Sequence, residues 1–443
     1  MTQHALARLE QCVRDTQEKS GLIRISGSVC EVTPAYARVT GLSRFLKLGE
    51  CVSFSAGGAT QLAEVVRLDA EGATVKTFDT GALARLGERV YRAGALQIFP
   101  DQSWKGRVIN ALATPIDGAG PLPMGNKAAV LDTPPPPALR RARVHKPLKT
   151  GVRVIDLFTP ICFGQRIGIF AGSGVGKSTL LAMLAASRDF DTVVVALAGE
   201  RGREVREFLD DALAANRSSA IAVVATGDES ALMRRLAPKT AMSIAEYFRD
   251  RGESVLLIID SITRFAHAAR DVATAAGELA VARGYPPSVF SDLPKLLERA
   301  GPGEEGQGSI TGIFSVLVDG DDHNEPVADA IRGTLDGHIV LDRAIAGQAR
   351  FPAVNVLTSI SRLTQIAWTS EQANLVGKLR ALIARYEDTR DLRLMGGYKE
   401  GADAELDQAV TLVPKIYEAI TQSPSSAPSK DAFRELSEFL QPK

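Results

Sequence analysis

A glycine-rich octapeptide at residues 171–178 carries the clearest chemical signal in the sequence. It reads Ala-Gly-Ser-Gly-Val-Gly-Lys-Ser and stands between an apolar run at 167–170 and a helix-like segment that begins at Thr179. In such a loop the backbone N–H groups converge on phosphate oxygens, the lysine reaches the terminal phosphates and the serine can ligate Mg²⁺. The pattern therefore predicts a site for a nucleoside triphosphate with Mg²⁺. The predicted phosphate-binding residues are Gly172, Ser173, Gly174, Val175, Gly176, Lys177, Ser178 and Thr179.

Two carboxylates stand at the ends of apolar strand patterns further along the chain. Asp260 follows the run at 255–259, and Glu200 follows the run at 193–197 after an Ala-Gly pair. Ligands of open α/β folds bind at the carboxyl ends of the strands. We therefore expect Asp260 to hold Mg²⁺ through water, with Ser178 as the second metal ligand, and Glu200 to polarise an attacking water. The alternative, an acid that interacts with a helix dipole, fits Glu204 better.

Phosphoryl hydrolysis also needs concentrated positive charge. The reaction depends on an oriented water and on charge stabilisation more than on covalent help. Lys177 and Mg²⁺ can supply part of this charge, and the candidate arginine is Arg362, which follows the segment 355–361. A lone arginine after a strand is more often solvated or ion-paired, so the spacing alone leaves the role of Arg362 open.

Length and composition limit the class of protein. The 443 residues predict two or three domains, and the 52 basic and 52 acidic side chains give no net field toward nucleic acid or an anionic membrane. The cysteines lack CxxC spacing and nearby histidines, which disfavours a metal or disulfide framework. The sequence begins without a signal-peptide pattern, and no apolar run approaches 18 residues. We expect a soluble cytosolic protein.

The sequence rhythm predicts an α/β protein with three parts behind an N-terminal helix. Residues 2–19 carry a narrow apolar stripe, which could pack on the protein or dock a partner. Short β-like segments from 21 to about 94 predict a small β-barrel. Apolar strands that alternate with helices from about 148 predict a largely parallel sheet covered on both faces. Helical spacing dominates from about 369. The predicted domains are 1–20, 21–95, 96–368 and 369–443.

Several long segments resemble the hexameric ATPases related to the catalytic subunits of rotary ATPases. Among these the sequence is most similar to the ATPases of flagellar and type III protein export. The Tyr-Pro-Pro-Ser-Val-Phe block at 285–290 and the Leu-Asp-Gly-His-Ile-Val-Leu block at 335–341 are specific to this group. The resemblance covers nearly the whole chain. The other matching segments are 147–156, 164–170 with the phosphate loop, 199–204, 260–264 and 308–311.

The resemblance implies a RecA-like core and a specific set of site residues. Glu200 matches the catalytic carboxylate of the family, Arg362 the arginine finger that acts on a neighbouring subunit, and Phe351 the aromatic that stacks on adenine. Tyr398 could close the other side of the adenine pocket. For Phe351 the alternative is a buried core aromatic.

The resemblance also implies an assembly and a set of partners. It implies a cytosolic homohexamer that hydrolyses ATP with Mg²⁺, lies peripherally at the export gate in the inner membrane and helps to detach or unfold exported proteins. By the same analogy the N-terminal helix docks a stator protein that acts as a negative regulator. The C-terminal helical domain contacts a central coiled-coil stalk and export chaperones.

Other readings stay open at this point. A rotary catalytic subunit is disfavoured because no acidic shaft-contacting loop lies between Leu382 and Val410. A non-catalytic nucleotide-binding subunit would not need Glu200.

A ring-shaped RNA translocase would need exposed aromatics and basic residues on the barrel. Most barrel aromatics stand at core-like positions without a basic cluster, so no nucleic-acid partner is expected. The residues at 161–165 resemble those of flagellar members more than those of injectisome members. The barrel aromatics are Tyr36, Phe45, Phe54, Phe78 and Tyr91.

Overall fold

The computed structural model of the chain describes residues 25–56, 59–80, 84–318 and 325–441. The predicted helix at 2–19 lies outside the described residues. The described chain divides into two compact units. The first unit comprises the residues up to 96 together with the short stretches 230–232 and 271–279, and the second comprises the remainder.

Six antiparallel strands in the first unit form a closed barrel, with the order β1-β2-β5-β4-β3-β6 and with β6 paired to β1. Alternate side chains point inward, and residues such as Val39, Val52 and Val90 fill the interior without exposure. The predicted barrel is confirmed. Its strands are β1 (Ser26–Val32), β2 (Ala37–Thr40), β3 (Glu50–Ala56), β4 (Ala59–Leu68), β5 (Ala73–Thr77) and β6 (Arg89–Ala95).

The aromatic side chains of the barrel divide into buried and exposed ones. Phe54 and Phe78 are buried, as their core-like positions predict. Tyr36 and Tyr91 are half-buried. Phe45 is 49% exposed, because it lies in the loop between β2 and β3 rather than on a strand.

The second unit is built on a sheet whose order is β19-β18-β12-β17-β15-β13-β14-β8, with β16 paired to β17. The strands from β8 to β18 along this order are parallel to one another, whereas β16 and β19 are antiparallel. The strands of this unit are β7 (Gln97–Ile98), β8 (Val108–Asn110), β9 (Ala129–Val130), β10 (Pro147–Leu148), β11 (Ile161–Cys162), β12 (Arg166–Ala171), β13 (Thr192–Glu200), β14 (Ala220–Thr226), β15 (Ser254–Asp260), β16 (Gly301–Pro302), β17 (Ser309–Leu317), β18 (Gly337–Leu341) and β19 (Ile360–Ser361).

Helices connect the parallel strands and cover the sheet. Every residue of β13 is buried, so both faces of the sheet are covered, as predicted. The described helices are α1 (Arg153–Phe158), α2 (Lys177–Ala185), α3 (Gly202–Glu207), α4 (Ala231–Arg249), α5 (Ile262–Ala275), α6 (Pro287–Leu297), α7 (Pro326–Thr334), α8 (Arg343–Gly347), α9 (Thr364–Ala367), α10 (Ser370–Asp388), α11 (Arg390–Leu394), α12 (Ala404–Ile420) and α13 (Ala432–Leu440).

The C-terminal helices pack on the parallel-sheet core in one hydrophobic cluster. Val376 of α10 and Val413 of α12 belong to the same buried cluster as Ile155 and Phe158 of α1. Helix α10 starts with a capping box, in which the Thr369 side chain accepts from the N–H of Gln372 while the Gln372 side chain accepts from the N–H of Thr369. The predicted helical ending of the chain is confirmed.

The strand order brings four strand ends to one edge of the sheet. Strands β12, β17, β15 and β13 are consecutive neighbours and run in the same direction. The loop after β12 therefore lies at the same edge as the ends of β15 and β13, where Asp260 and Glu200 stand. This edge is the candidate site.

Candidate active site

The glycine-rich loop joins β12 to the first turn of α2. Gly174 and Gly176 have left-handed backbone conformations, with φ of 78° and 93°, which residues with a side chain rarely adopt. Helix α2 begins at Lys177 immediately after Gly176. The free N–H groups of this helix end and of the loop give the partial positive charge that favours phosphate.

Lys177 lies between the two predicted acids. Its ammonium group contacts the Asp260 carboxylate directly and stands 3.7 Å from Glu200 Oε1. The hydroxyl of Ser315, on β17, donates to Asp260 Oδ1 at 2.5 Å and lies 3.5 Å from Lys177 Nζ. Asp260 is 3% exposed and Glu200 is 6% exposed. The structure thus brings together three of the predicted site residues.

Glu200 is a buried carboxyl whose pKa is raised to about 7, chiefly by burial and then by the nearby charge of Asp260, against the opposing charge of Lys177. Arg264 flanks it, with Nη2 3.4 Å from Oε2 and Nε 3.3 Å from Oε1. Glu200 Oε1 accepts no hydrogen bond within the described part of the chain. Its neighbours are the charged groups of Lys177 and Arg264, and it keeps hydrogen-bonding capacity with which it could orient a water.

Arg264 is held in place through the bend at the end of β13. Its guanidinium donates to the carbonyl oxygen of Gly199. A Cβ on Gly199 would stand 2.9 Å from Arg264 Cδ, and the φ of Gly199 is 78°, so glycine is needed at this position for both space and conformation. The bend also shifts the register of β13 so that Glu200 turns toward Lys177.

A cavity of about 330 Å³ opens beside these groups. Ser178 and Asp260 both line it, and hydroxyl and carboxylate oxygens are the ligands that Mg²⁺ prefers. No cluster of three or more His, Cys, Asp or Glu side chains that could hold a metal by itself occurs in the described ranges. These two residues could therefore hold Mg²⁺ only together with phosphate and water. The other lining residues are Thr179, Ala182, Leu197, Glu200, Glu204, Glu207, Phe208, Asp211, Ala212 and Pro424.

Phe351 lies next to the phosphate loop. A Cβ placed on Gly176 would be 3.5 Å from its ring, and the residue is 37% exposed. The alternative of a buried core aromatic is therefore wrong. An exposed ring beside the loop is placed to contact the base of a nucleotide whose phosphates the loop holds.

Tyr398 lies in the C-terminal helical part. Its hydroxyl donates to Asp407 Oδ1 at 2.7 Å, and this hydrogen bond is the main cause that raises its pKa to about 12. Tyr398 does not line the cavity at the phosphate loop, whereas Pro424 does. Its assignment to the adenine pocket stays a prediction.

Arg362 stands at the opposite edge of the sheet from the phosphate loop. It follows β19, which pairs with the first two residues of β18, and its N–H donates to the carbonyl oxygen of Asp336 at 2.9 Å. Asp336 in turn binds Arg166, the first residue of β12. At about 3.3 Å per residue, the length of β12 separates this edge from the loop by roughly 16 Å. The exposed Arg362 is therefore remote from Lys177 of its own chain.

Sequence reasoning missed three residues that the structure adds to the site. Arg264 follows Asp260 by one helical turn, a spacing that could have placed it near the strand end. Ser315 is a small polar residue within an apolar strand, and Pro424 lies in the Ser/Pro segment between α12 and α13. For Ser315 and Pro424 no sequence pattern indicates the contact, because it depends on long-range packing.

The fold and this site define a phosphate-loop ATPase of the ATP synthase type. Residues 151–361 match the ATP synthase alpha/beta family, nucleotide-binding domain, and residues 368–438 match the T3SS EscN ATPase C-terminal domain. The chain belongs to the family of flagellum-specific and type III secretion ATPases.

Curated relatives support this membership over the full length. The chain is 54% identical to the "Flagellum-specific ATP synthase" of Rhizobium meliloti (strain 1021) over 99% of this chain and 94% of that protein. It is 55% identical to the protein of the same name in Agrobacterium fabrum, over 94% and 88%. The "SPI-2 type 3 secretion system ATPase" of Salmonella typhimurium is 44% identical over 82% and 83%.

Solved structures support the same fold. The assembled ATPase EscN from the enteropathogenic E. coli type III secretion system superposes with a TM-score of 0.87 at 39% identity, over 94% of this chain and 100% of that one. EscN in complex with its central stalk EscO gives a TM-score of 0.84 at 38% identity, again over 94% and 100%. In the stretches that the structure describes, no helix has the length and apolarity needed to cross a bilayer.

Proposed function

We propose that this chain is the ATPase of a flagellar protein export apparatus and works as a homohexameric ring that energises or facilitates export. The observation that carries the proposal is the cluster of Lys177, Glu200 and Asp260 at the end of the phosphate loop. It has a cation for the terminal phosphates and a buried carboxyl whose Oε1 accepts no hydrogen bond from the described residues. This combination suits an ATPase better than a subunit that only stores nucleotide.

In the proposed reaction each residue has one task. The loop residues 172–179 bind the phosphates. Ser178 and, through water, Asp260 would hold Mg²⁺, which would supply charge neutralisation for the phosphates. Glu200 orients the attacking water through Oε1, and Lys177 stabilises the charge of the transferred phosphoryl group.

The remaining charge comes from a neighbouring subunit in this proposal. Arg362 is exposed and lies at the edge of the sheet away from its own loop. In a ring with head-to-tail interfaces, such a residue can reach the loop of the next subunit. Phe351 stacks on adenine, and Tyr398 remains a prediction for the other face of the base.

The proposed cellular setting follows the relatives. The parts 21–95, 96–368 and 369–443 would act as barrel, ATPase core and helical domain, with the ring in the cytoplasm, peripheral to the inner-membrane export gate. The helix predicted at 2–19 would bind a regulatory stator protein. A coiled-coil stalk would bind the C-terminal helices, and the solved complex of EscN with its central stalk EscO supports a stalk partner. Export chaperones and substrates would dock on the same helices. No nucleic-acid partner is proposed.

Complementation separates the flagellar from the injectisome function. The chain is expressed in a Rhizobium meliloti strain that lacks its own flagellum-specific ATP synthase, with Glu200→Gln as the matched control. We expect the wild type to restore swimming and the variant to fail at equal protein level. The same pair is tested in Salmonella typhimurium without its SPI-2 ATPase. Restored SPI-2 secretion without restored swimming would transfer the chain to the injectisome function.

A further inference from the structure

Gln422 is a buried amide that joins three segments of the second unit. It is 4% exposed, and its backbone N–H donates to the carbonyl oxygen of Phe351 at 2.8 Å. Its side-chain Oε1 accepts from the N–H of Arg153 at 3.0 Å, and Nε2 donates to the carbonyl oxygen of Gly151 at 2.9 Å. One residue therefore ties the C-terminal segment both to Phe351 and to the turn before α1.

Further bonds hold the chain on both sides of Gln422 against the same turn. The Arg153 guanidinium donates to the carbonyl oxygen of Thr421 at 3.1 Å. The N–H of Ser429 donates to the carbonyl oxygen of Gly151 at 2.9 Å. Helix α12 ends at Ile420, two residues before Gln422. The position of Gln422 is thus set by the core on one side and by the packing of α12 on the other.

The segment that Gln422 anchors forms part of the nucleotide cavity. Pro424 lines that cavity together with Thr179 of the phosphate-loop helix. The ring of Phe351, whose carbonyl oxygen accepts the Gln422 bond, stands beside Gly176. Gln422 itself does not line the cavity, so its influence on a nucleotide would pass through a neighbour. Phe351 is the neighbour beside the phosphate loop to which Gln422 is hydrogen-bonded.

We propose that Gln422 is a positioning residue for the base of the bound nucleotide. It fixes the backbone of Phe351 and so holds the ring in the position where it can stack on the base. Because α12 ends next to Gln422, the affinity for the base then depends on how the C-terminal helices are docked. The proposal rests on the proposed stacking of Phe351 on adenine.

The test separates base binding from phosphate binding. Gln422→Met removes both side-chain hydrogen bonds and keeps the length of the side chain. KM and kcat are measured for ATP, and Ki is measured for inorganic tripolyphosphate, a competitor without a base. Losing a buried hydrogen bond predicts a KM for ATP that rises roughly fivefold, with kcat and Ki changed less than about twofold. The matched control is Gln372→Met, the same change at the exposed start of α10, which should leave all three constants unchanged.

The variants also distinguish positioning from simple stabilisation. In a Phe351→Ala background, Gln422→Met should raise KM no further, because its effect passes through that ring. An unchanged KM for ATP, or an equal rise of KM and of Ki, overturns the role of Gln422. If the Met variant does not fold, Gln422→Glu decides in the same assay, since it keeps the acceptor for the Arg153 N–H. A Phe351→Ala enzyme with unchanged KM would instead refute the proposed stacking.

Discussion

Replacing Glu200 by Gln should make the nucleotide-free protein more stable at pH 8 while it abolishes turnover. The pKa of Glu200 is raised from the ordinary 4.5 to about 7, mainly by burial. Between these two values the folded chain binds more protons at this site than the unfolded chain, so stability falls as pH rises from 4.5 to 7. The carboxylate therefore destabilises the fold at pH 8 and not at pH 4.5.

The size of this effect follows from the shift in pKa. A difference of about 2.5 units at 1.36 kcal/mol each corresponds to about 3 kcal/mol at pH 8. Solvent screens this charge little, because Glu200 is 6% exposed. A neutral amide of the same shape avoids this loss of folding free energy. Such a loss is expected at a group that is kept for activity rather than for stability.

Thermal unfolding at pH 5 and at pH 8 measures the difference. We expect Glu200→Gln to melt several degrees above the wild type at pH 8. At pH 5, where Glu200 is protonated in the folded wild type but mostly ionised in the unfolded chain, the difference in stability should shrink to less than about 1 kcal/mol. The control Glu207→Gln changes an exposed carboxylate of α3 that is paired with Arg203 and does not affect the pKa of Glu200, so it should shift neither value. A Glu200→Gln protein that melts below the wild type at pH 8 would refute the reasoning from burial.

Two further predictions concern the other site residues. Arg362→Ala should leave ATP binding unchanged and should lower turnover only at protein concentrations at which the ring assembles. Mass and ATPase activity are followed together, and an equal loss of activity in monomer and hexamer would contradict an action of Arg362 on the neighbouring subunit. Ser178→Ala should raise the Mg²⁺ concentration needed for half-maximal ATPase activity roughly threefold or more, because it removes one oxygen ligand. An unchanged Mg²⁺ requirement would show that Ser178 is not a metal ligand.

The sequence predicted the parts of the fold and site that depend on local patterns. The apolar runs that end in Asp260 and Glu200, next to a loop with Lys177, sufficed to place all three at one sheet edge, because parallel strands align their carboxyl ends. The six barrel strands followed from short β-like segments and turns.

The parts that were missed depend on packing between distant segments. Strand β8 has three residues, too few to show a period, yet it extends the sheet beside β14. Pro424, in the Ser/Pro segment between α12 and α13, lines the cavity at the phosphate loop, and no pattern in the sequence marks it for that place. Pro424 and Thr179 line the same cavity although they lie about 245 positions apart in the chain, and no sequence period reports such a distance.

Mixing two inactive variants tests most directly whether neighbouring chains share one active site. Glu200→Gln and Arg362→Ala proteins are each assayed for ATPase activity alone and then reassembled together at equal concentration. In a ring, an interface between the intact Glu200 of one chain and the intact Arg362 of the next regains a complete site. Random mixing makes about a quarter of the interfaces complete, so activity near that fraction of the wild type is predicted. A mixture no more active than its two components would contradict the shared site.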